Sequence, residues 1–317
     1  MEEKTVGRFA PSPSGRMHLG NLLCALLAWL SVRNRGGTFL LRIEDLDTGR
    51  CRREYARQLE QDLLWLGLDW DEGGSRGGPA GSYFQSQRGP MYAAALERLQ
   101  RQGLVYPCFC TRAQLRAASA PHREDGLTVY PGTCARLTAD EVEEKRRQSS
   151  RPPALRLRVP KETIAVEDGH LGVCREYLPT ECGDFLLRRS DGLYAYQLAV
   201  VVDDAAMGVT EVVRGADLLS STPRQLLLYR LLGLRAPRFI HFPLLLDQQG
   251  RRLSKRDGSI GLDALQARLV PEEVVGKLAY LAGLNPSGQP RTPEQLVPVF
   301  DWSKVPTEDI RLPEGLF

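Results

Sequence analysis

The segment Gly7-Arg8-Phe9-Ala10-Pro11-Ser12-Pro13-Ser14-Gly15-Arg16-Met17-His18-Leu19-Gly20-Asn21 carries more polar equipment than a structural turn needs. It runs from a short apolar start through Pro, Ser and Gly into Asn21-Leu22-Leu23-Cys24-Ala25-Leu26-Leu27-Ala28-Trp29-Leu30, an apolar helix. A strand, a tight turn and a helix start in that order make an anion corner, because the first helical N–H groups are unpaired and point outward. Arg8, Ser12, Ser14 and His18 add side-chain donors to it. The chemistry it suits is phosphate or carboxylate binding.

Two further groups could share that site. Glu44-Asp45 ends a second strand-like segment, and Arg251-Arg252-Leu253-Ser254-Lys255-Arg256 is a late cationic loop. The chain has no G-x-x-x-x-G-K-[ST] run, and no G-x-G-x-x-G follows the first strand, so neither a P-loop nor a dinucleotide fingerprint is present. A nucleotide site must therefore be built from His18, the helix N-terminus and the late loop. Separately, Cys108-Phe109-Cys110 and Cys134 offer three thiolates within one segment. Cys-x-Cys is tighter than the usual Cys-x-x-Cys, so spacing alone is a moderate metal signal. The ordinary fourth ligand would be His122; Tyr130, in Tyr130-Pro131-Gly132-Thr133-Cys134, is the other candidate. Cys24, Cys51, Cys174 and Cys182 read as core or incidental.

The elements that must position these residues follow a βα alternation. Residues 5–10 and 38–44 read as buried strands around a helix from 21 to 33, a βαβ unit whose parallel strands imply a doubly wound α/β sheet. Such a sheet binds its ligand at the carboxyl ends of the strands. A helix is expected from Arg52 to Leu66, with Tyr55, Leu59, Leu63 and Leu66 at helical spacing. The stretch from Gly73 to Gly81 reads as a glycine-rich loop, and Met91–Arg101 as a helix stopped by Gly103. From 104 to 184 the alternation is lost. It resumes with Phe185–Arg188, an apolar run from Tyr196 to Asp204, a strand over Val209–Val213, a helix over Thr222–Leu232 and a strand over Phe239–Leu246. Beyond Gly258 the pattern is helical with proline breaks and shows no further strand. The implied organisation is a first α/β half (1–103), an insertion (104–184), a second α/β half (185–250) and a loop with a small helical domain (251–317).

Bulk properties narrow the class without choosing a function. The 317 residues carry 42 Lys and Arg against 39 Asp and Glu, so net charge neither demands nor excludes nucleic acid. Residues 145–161 form a basic segment, while 258–317 hold eight acidic and five basic residues. The longest apolar run is too short to span a bilayer. No secretory signal is visible, and seven irregularly spaced cysteines point to a reducing compartment, so a cytoplasmic location is expected.

Four segments in order resemble the glutamyl branch of the class I aminoacyl-tRNA synthetases. Pro11–Asn21 is similar to that branch's HIGH signature and Arg252-Leu253-Ser254-Lys255-Arg256 to its KMSKS loop, with Arg in the first position. Leu41-Arg42-Ile43-Glu44-Asp45-Leu46-Asp47 and Tyr194-Ala195-Tyr196-Gln197-Leu198-Ala199, followed by Val201-Val202-Asp203-Asp204, resemble two more of its segments. Because the chain stops about sixty residues after the loop, it resembles the shorter paralogues, the glutamyl-queuosine tRNA(Asp) synthetases.

The resemblance implies a Rossmann-like sheet interrupted by a zinc-containing insertion. It also implies ATP-dependent activation of L-glutamate and transfer to queuosine in tRNA(Asp), with Mg²⁺ accompanying ATP and the protein acting as a monomer. His18, Asn21 and Lys255 would be catalytic, and Ser14, Gly20, Arg252 and Ser254 would join them on ATP. Arg8, Ala10, Ser12, Glu44, Tyr196 and Arg214 would hold glutamate, with Glu44 on the ammonium. Pairing with Arg42 competes for Glu44, and a bridge to Asp217 competes for Arg214. Val200 stands where ordinary glutamyl enzymes tend to be polar, so no substrate contact is expected from it. For zinc, the paralogues' pattern selects Cys108, Cys110, Tyr130 and Cys134. The competing readings are a truncated synthetase charging tRNA(Glu) and an inactive tRNA-binding paralogue.

Overall fold

The computed structural model describes residues 4–111, 113–115, 129–251, 253 and 261–317. In chain order it opens with β1 (Val6–Phe9), α1 (Leu19–Arg33), β2 (Thr38–Leu41), α2 (Arg53–Trp65), β3 (Glu72–Gly73) and α3 (Gly89–Arg101). Next come β4 (Val105–Cys108), α4 (Ala139–Gln148), β5 (Ala154–Leu157), β6 (Thr163–Asp168), β7 (Gly172–Tyr177) and β8 (Phe185–Arg188). The chain continues through α5 (Tyr196–Ala206), β9 (Glu211–Gly215), α6 (Thr222–Leu231), β10 (Arg238–Phe242) and β11 (Leu245–Leu246). Helices Leu262–Gln266, Pro271–Leu281 and Pro293–Leu296 precede the short strand β12 (Ile310–Arg311).

The central sheet has the order β10-β9-β1-β2-β3, and every pairing in it is parallel. This is the parallel α/β sheet expected from the βαβ pattern. Its α1 is apolar all round, with Leu22, Leu23, Leu26, Leu27 and Leu30 fully buried, as a helix enclosed by other elements must be. Close approach of α1 to β1 requires Gly7, since a Cβ there would lie 2.4 Å from Val32 Cγ2. Gly73 is demanded twice: its φ is +97°, and a Cβ would meet the Leu41 carbonyl at 2.0 Å. The apolar run from Tyr196 is the helix α5, with Leu198 to Asp204 buried; continuous apolarity does not by itself declare a period.

Two expectations change. Phe185–Arg188 does not rejoin the parallel sheet; it pairs antiparallel with β5 in a separate sheet of order β4-β5-β8. A strand pattern reveals that a segment is extended but not which partner it takes, so the interruption runs through Arg188. Ile310–Arg311 forms a strand beyond residue 258, pairing in parallel with β11. Two residues are too few to leave a periodicity. The hairpin β6–β7 completes the interrupting segment, and α4, with no buried residue, carries Lys145, Arg146 and Arg147 exposed to solvent. Among the described residues no helix is long and apolar enough to cross a membrane.

Candidate active site

The carboxyl ends of β1, β2, β9 and β10 open onto one cleft of about 710 Å³. Its wall includes every described residue that the sequence nominates for ATP or glutamate: Arg8, Ala10, Ser12, Ser14, His18, Gly20, Asn21, Glu44, Tyr196 and Arg214. Arg252, Ser254 and Lys255 lie outside the described residues, but Leu253, from the same loop, lines the cleft. Past the loop, Leu262 donates its N–H to the Met17 carbonyl at 3.0 Å, and Gly261 bridges His18. Leu253, Gly261 and Leu262 are therefore held beside the helix start. Arg16 strengthens that joint, donating to Asp62 at 3.1 Å and to Gln266 at 2.8 Å.

The helix start is built locally. His18 is extended (φ −104°, ψ 169°) and its carbonyl accepts the N–H groups of Asn21 and Leu22 at 2.8 and 3.1 Å. The Asn21 side-chain oxygen accepts from the His18 N–H at 3.3 Å. Asn21 thus caps its own helix with its oxygen, which leaves its amide nitrogen as the group able to serve a ligand.

Charge is organised in two layers. Arg42 is fully buried and donates to Asp204 at 2.5 Å and to Glu44 at 3.1 Å, so the competing pair for Glu44 is present. The pairing fixes Glu44 without removing it from the cleft wall. Burial pushes the Glu44 carboxyl above the usual range, while Arg42 and Arg8 pull against it. For Asp204 burial also opposes the charge, but Arg42 and Arg8 outweigh it and hold that carboxyl low. Arg8 lies 3.4 Å from Asp204 and donates to the Val213 carbonyl at 3.3 Å. On the neighbouring strand β9, Arg214 is 3% exposed and donates to His241 at 2.9 Å, to Thr222 at 2.8 Å and to the Leu218 carbonyl at 3.3 Å. Its Nη1 is buried without a hydrogen-bond partner. Burying an unpaired guanidinium nitrogen is costly unless a ligand satisfies it. The cleft wall carries two guanidiniums, Arg8 and Arg214, and two carboxylates, Glu44 and Asp217; Arg8, Arg214 and Glu44 together are the inverse of a molecule with two carboxylates and one ammonium. Val200 packs in the core and is absent from the cleft wall.

Away from the cleft, the sulfurs of Cys108, Cys110 and Cys134 lie within 4.8 Å of one another. The Tyr130 hydroxyl is 3.6 Å from Cys108 Sγ and 3.7 Å from Cys110 Sγ, and it accepts the Cys134 N–H at 2.7 Å. Tetrahedral zinc with Zn–S bonds of about 2.3 Å needs sulfurs roughly 3.8 Å apart, which these positions suit. His122, the ligand favoured by residue chemistry alone, lies outside the described residues.

The sequence pattern named Arg42 as a competing partner of Glu44, left Asp204 without a role, and gave no sign of Asp168 and His241 as a pair. His241 is a buried histidine inside a strand, and that alone was a usable signal.

The family model described as "tRNA synthetases class I (E and Q), catalytic domain" matches residues 4–294. A glutamyl-Q tRNA(Asp) synthetase of Symbiobacterium thermophilum is 55% identical, over 97% of this chain and 95% of its own. One from Nitratidesulfovibrio vulgaris is 52% identical, over 98% and 96%. The crystal structure of glutamate-tRNA synthetase from Elizabethkingia anophelis superposes with a TM-score of 0.86 at 29% identity, over 99% of this chain and 69% of that one. The chain belongs to the class I tRNA synthetases of the glutamate and glutamine type.

Proposed function

We propose that this ligase activates L-glutamate with ATP and transfers the glutamyl group to queuosine in tRNA(Asp). The observation that carries the amino acid is that Arg8, Arg214 and Glu44 line one cleft. Glu44 receives the ammonium. The guanidiniums receive carboxylate, since a planar fork makes two charge-assisted bonds where a neutral amide would leave buried donors unpaired. A glutamate carboxylate oxygen attacks the α-phosphorus of ATP, the bond to the bridging oxygen breaks, and pyrophosphate leaves. A nucleophile on queuosine then displaces AMP from the adenylate.

Catalysis of the first step is mainly positioning and charge stabilisation. His18, Gly20 and the Asn21 amide offer phosphate contacts at the helix start, with Ser14 beside them. Arg252, Ser254 and Lys255 meet the departing pyrophosphate, a role supported by the anchoring of Leu253 and Gly261 at the cleft. Mg²⁺ enters with ATP, held chiefly by phosphate oxygens and water. The acceptor is supported by the similarity to two glutamyl-Q tRNA(Asp) synthetases, each matched over nearly its whole length.

Cys108, Cys110, Tyr130 and Cys134 hold one zinc ion. Zinc there would supply a structural cross-link to a segment whose own apolar cluster is small. Activation is tested by glutamate-dependent exchange of pyrophosphate into ATP without tRNA. Exchange with glutamate and not with glutamine is expected; no exchange with either would favour an inactive paralogue.

A further inference from the structure

Arg214 is held from behind by His241 and Asp168, which do not line the cleft. It leaves β9 directly opposite His241 of β10, and its Nε donates to His241 Nε2 at 2.9 Å. His241 Nδ1 is 2.6 Å from Asp168 Oδ2, at the end of β6. The other Asp168 oxygen accepts three backbone N–H groups: His170 at 3.0 Å, Leu171 at 2.9 Å and His241 at 3.2 Å. Both Asp168 and His241 are fully or almost fully buried.

These contacts fix the imidazole's tautomer. With Oδ1 taken by three donors and Oδ2 facing the ring, Asp168 is an acceptor only, so the proton sits on Nδ1. Nε2 then presents a lone pair, and the Arg214 Nε–H needs one. A proton on Nε2 would set donor against donor. Burial and the Arg214 charge both disfavour imidazolium, outweighing the pull of Asp168. The Phe239 ring, 5.0 Å from the guanidinium carbon, and the Thr222 hydroxyl complete the bracket. Three of the guanidinium's five N–H donors, the one on Nε and the two on Nη2, are thus spoken for, and Nη1 is the buried nitrogen without a partner on a residue that lines the cleft.

We infer that Asp168 and His241 are positioning residues that aim the Nη1 edge of Arg214 at a substrate carboxylate. The inference rests on the proposed role of Arg214 in binding glutamate. It also gives the interrupting segment a part in the amino-acid site, because Asp168 belongs to the β6–β7 hairpin.

Asp168→Asn keeps the shape and inverts one donor. Whichever way the amide turns, it faces either the ring nitrogen or the three backbone N–H groups wrongly. The pyrophosphate-exchange KM for glutamate should rise about tenfold or more, since misplacing a binding group by about an ångström costs up to about 100-fold. The KM for ATP should stay near wild type, while the melting temperature falls by several degrees, because the amide leaves a buried donor mispaired. His241→Leu should behave alike, and His241→Gln, which restores an acceptor toward Arg214, should recover most of the loss. An unchanged glutamate KM in Asp168→Asn and His241→Leu, alongside a raised KM in Arg214→Gln, would overturn the positioning role alone. An unchanged KM in Arg214→Gln would overturn the reading of the pocket and this inference with it. Nitrogen NMR of the wild-type imidazole gives an arm independent of variant folding: a proton on Nδ1 is expected, and a proton on Nε2 would defeat the inference.

Discussion

Replacing Glu44 with Gln separates ligand binding from fold stability. Glu44 is paired with Arg42 at 3.1 Å, and its side chain is 11% exposed. A charge-assisted hydrogen bond to the substrate ammonium is worth about 1.5–3 kcal/mol. At about 1.36 kcal/mol per decade, its loss raises the glutamate KM roughly 10- to 150-fold. The fold should tolerate the change, because Arg42 keeps Asp204 at 2.5 Å. Burial destabilises ionised Glu44 more than its arginine partners return, which is why its carboxyl sits above the ordinary range. Removing that charge therefore leaves the melting temperature unchanged or slightly raised. The sign also predicts a pH dependence. As pH falls through the raised value, Glu44 takes up a proton, the ammonium loses its counter-charge, and the wild-type glutamate KM climbs. Glu44→Gln should lack that climb. The assay is pyrophosphate exchange with glutamate varied at several pH values, paired with thermal melts. An unchanged KM, or a loss of activity that tracks unfolding, would refute the reasoning and make Glu44 a purely structural partner of Arg42.

Other perturbations follow from the same charges and thiols. Arg42→Met strips a buried partner from Asp204 and Glu44 and should cost about 3–5 kcal/mol in urea unfolding, the range for breaking a buried pair. Arg8, 3.4 Å from Asp204, places the cost toward the lower end of that range. Asp204, held below its unfolded value, contributes stability that is present above the ordinary carboxylate range and is lost as pH falls through its lowered value. Acid titration of stability should show that loss, and Asp204→Asn should abolish its share. Elemental analysis should find about one zinc per chain in fresh reduced protein, and Cys134→Ala should lose it together with part of the thermal stability.

What the sequence made legible was local. The corner from Arg8 to Asn21 is contiguous, so its strand, turn and helix start announce themselves through residue type. Glu44 follows β2 directly, so the sheet rule alone delivers it to the cleft. The late loop was legible as a cluster of charge, and its anchored flanks reach the same place. What depended on distant pairing was not legible. Arg42 and Asp204 are 162 residues apart, and Asp168 and His241 are 73 apart, with nothing in either neighbourhood to name the partner. The same limit explains β8, whose extended character was visible but whose sheet was not. Tyr130 lies among the sulfurs, yet spacing and ordinary ligand chemistry favoured His122; only the family pattern pointed to the phenol.

The central claim is the acceptor, and paired labelling tests it most directly. Purified protein, ATP and labelled glutamate are incubated with tRNA(Asp) that carries queuosine, with queuosine-free tRNA(Asp), and with tRNA(Glu). Label is expected on the queuosine-containing tRNA(Asp) alone. Equal labelling of both tRNA(Asp) forms, or labelling of tRNA(Glu) alone, would contradict it.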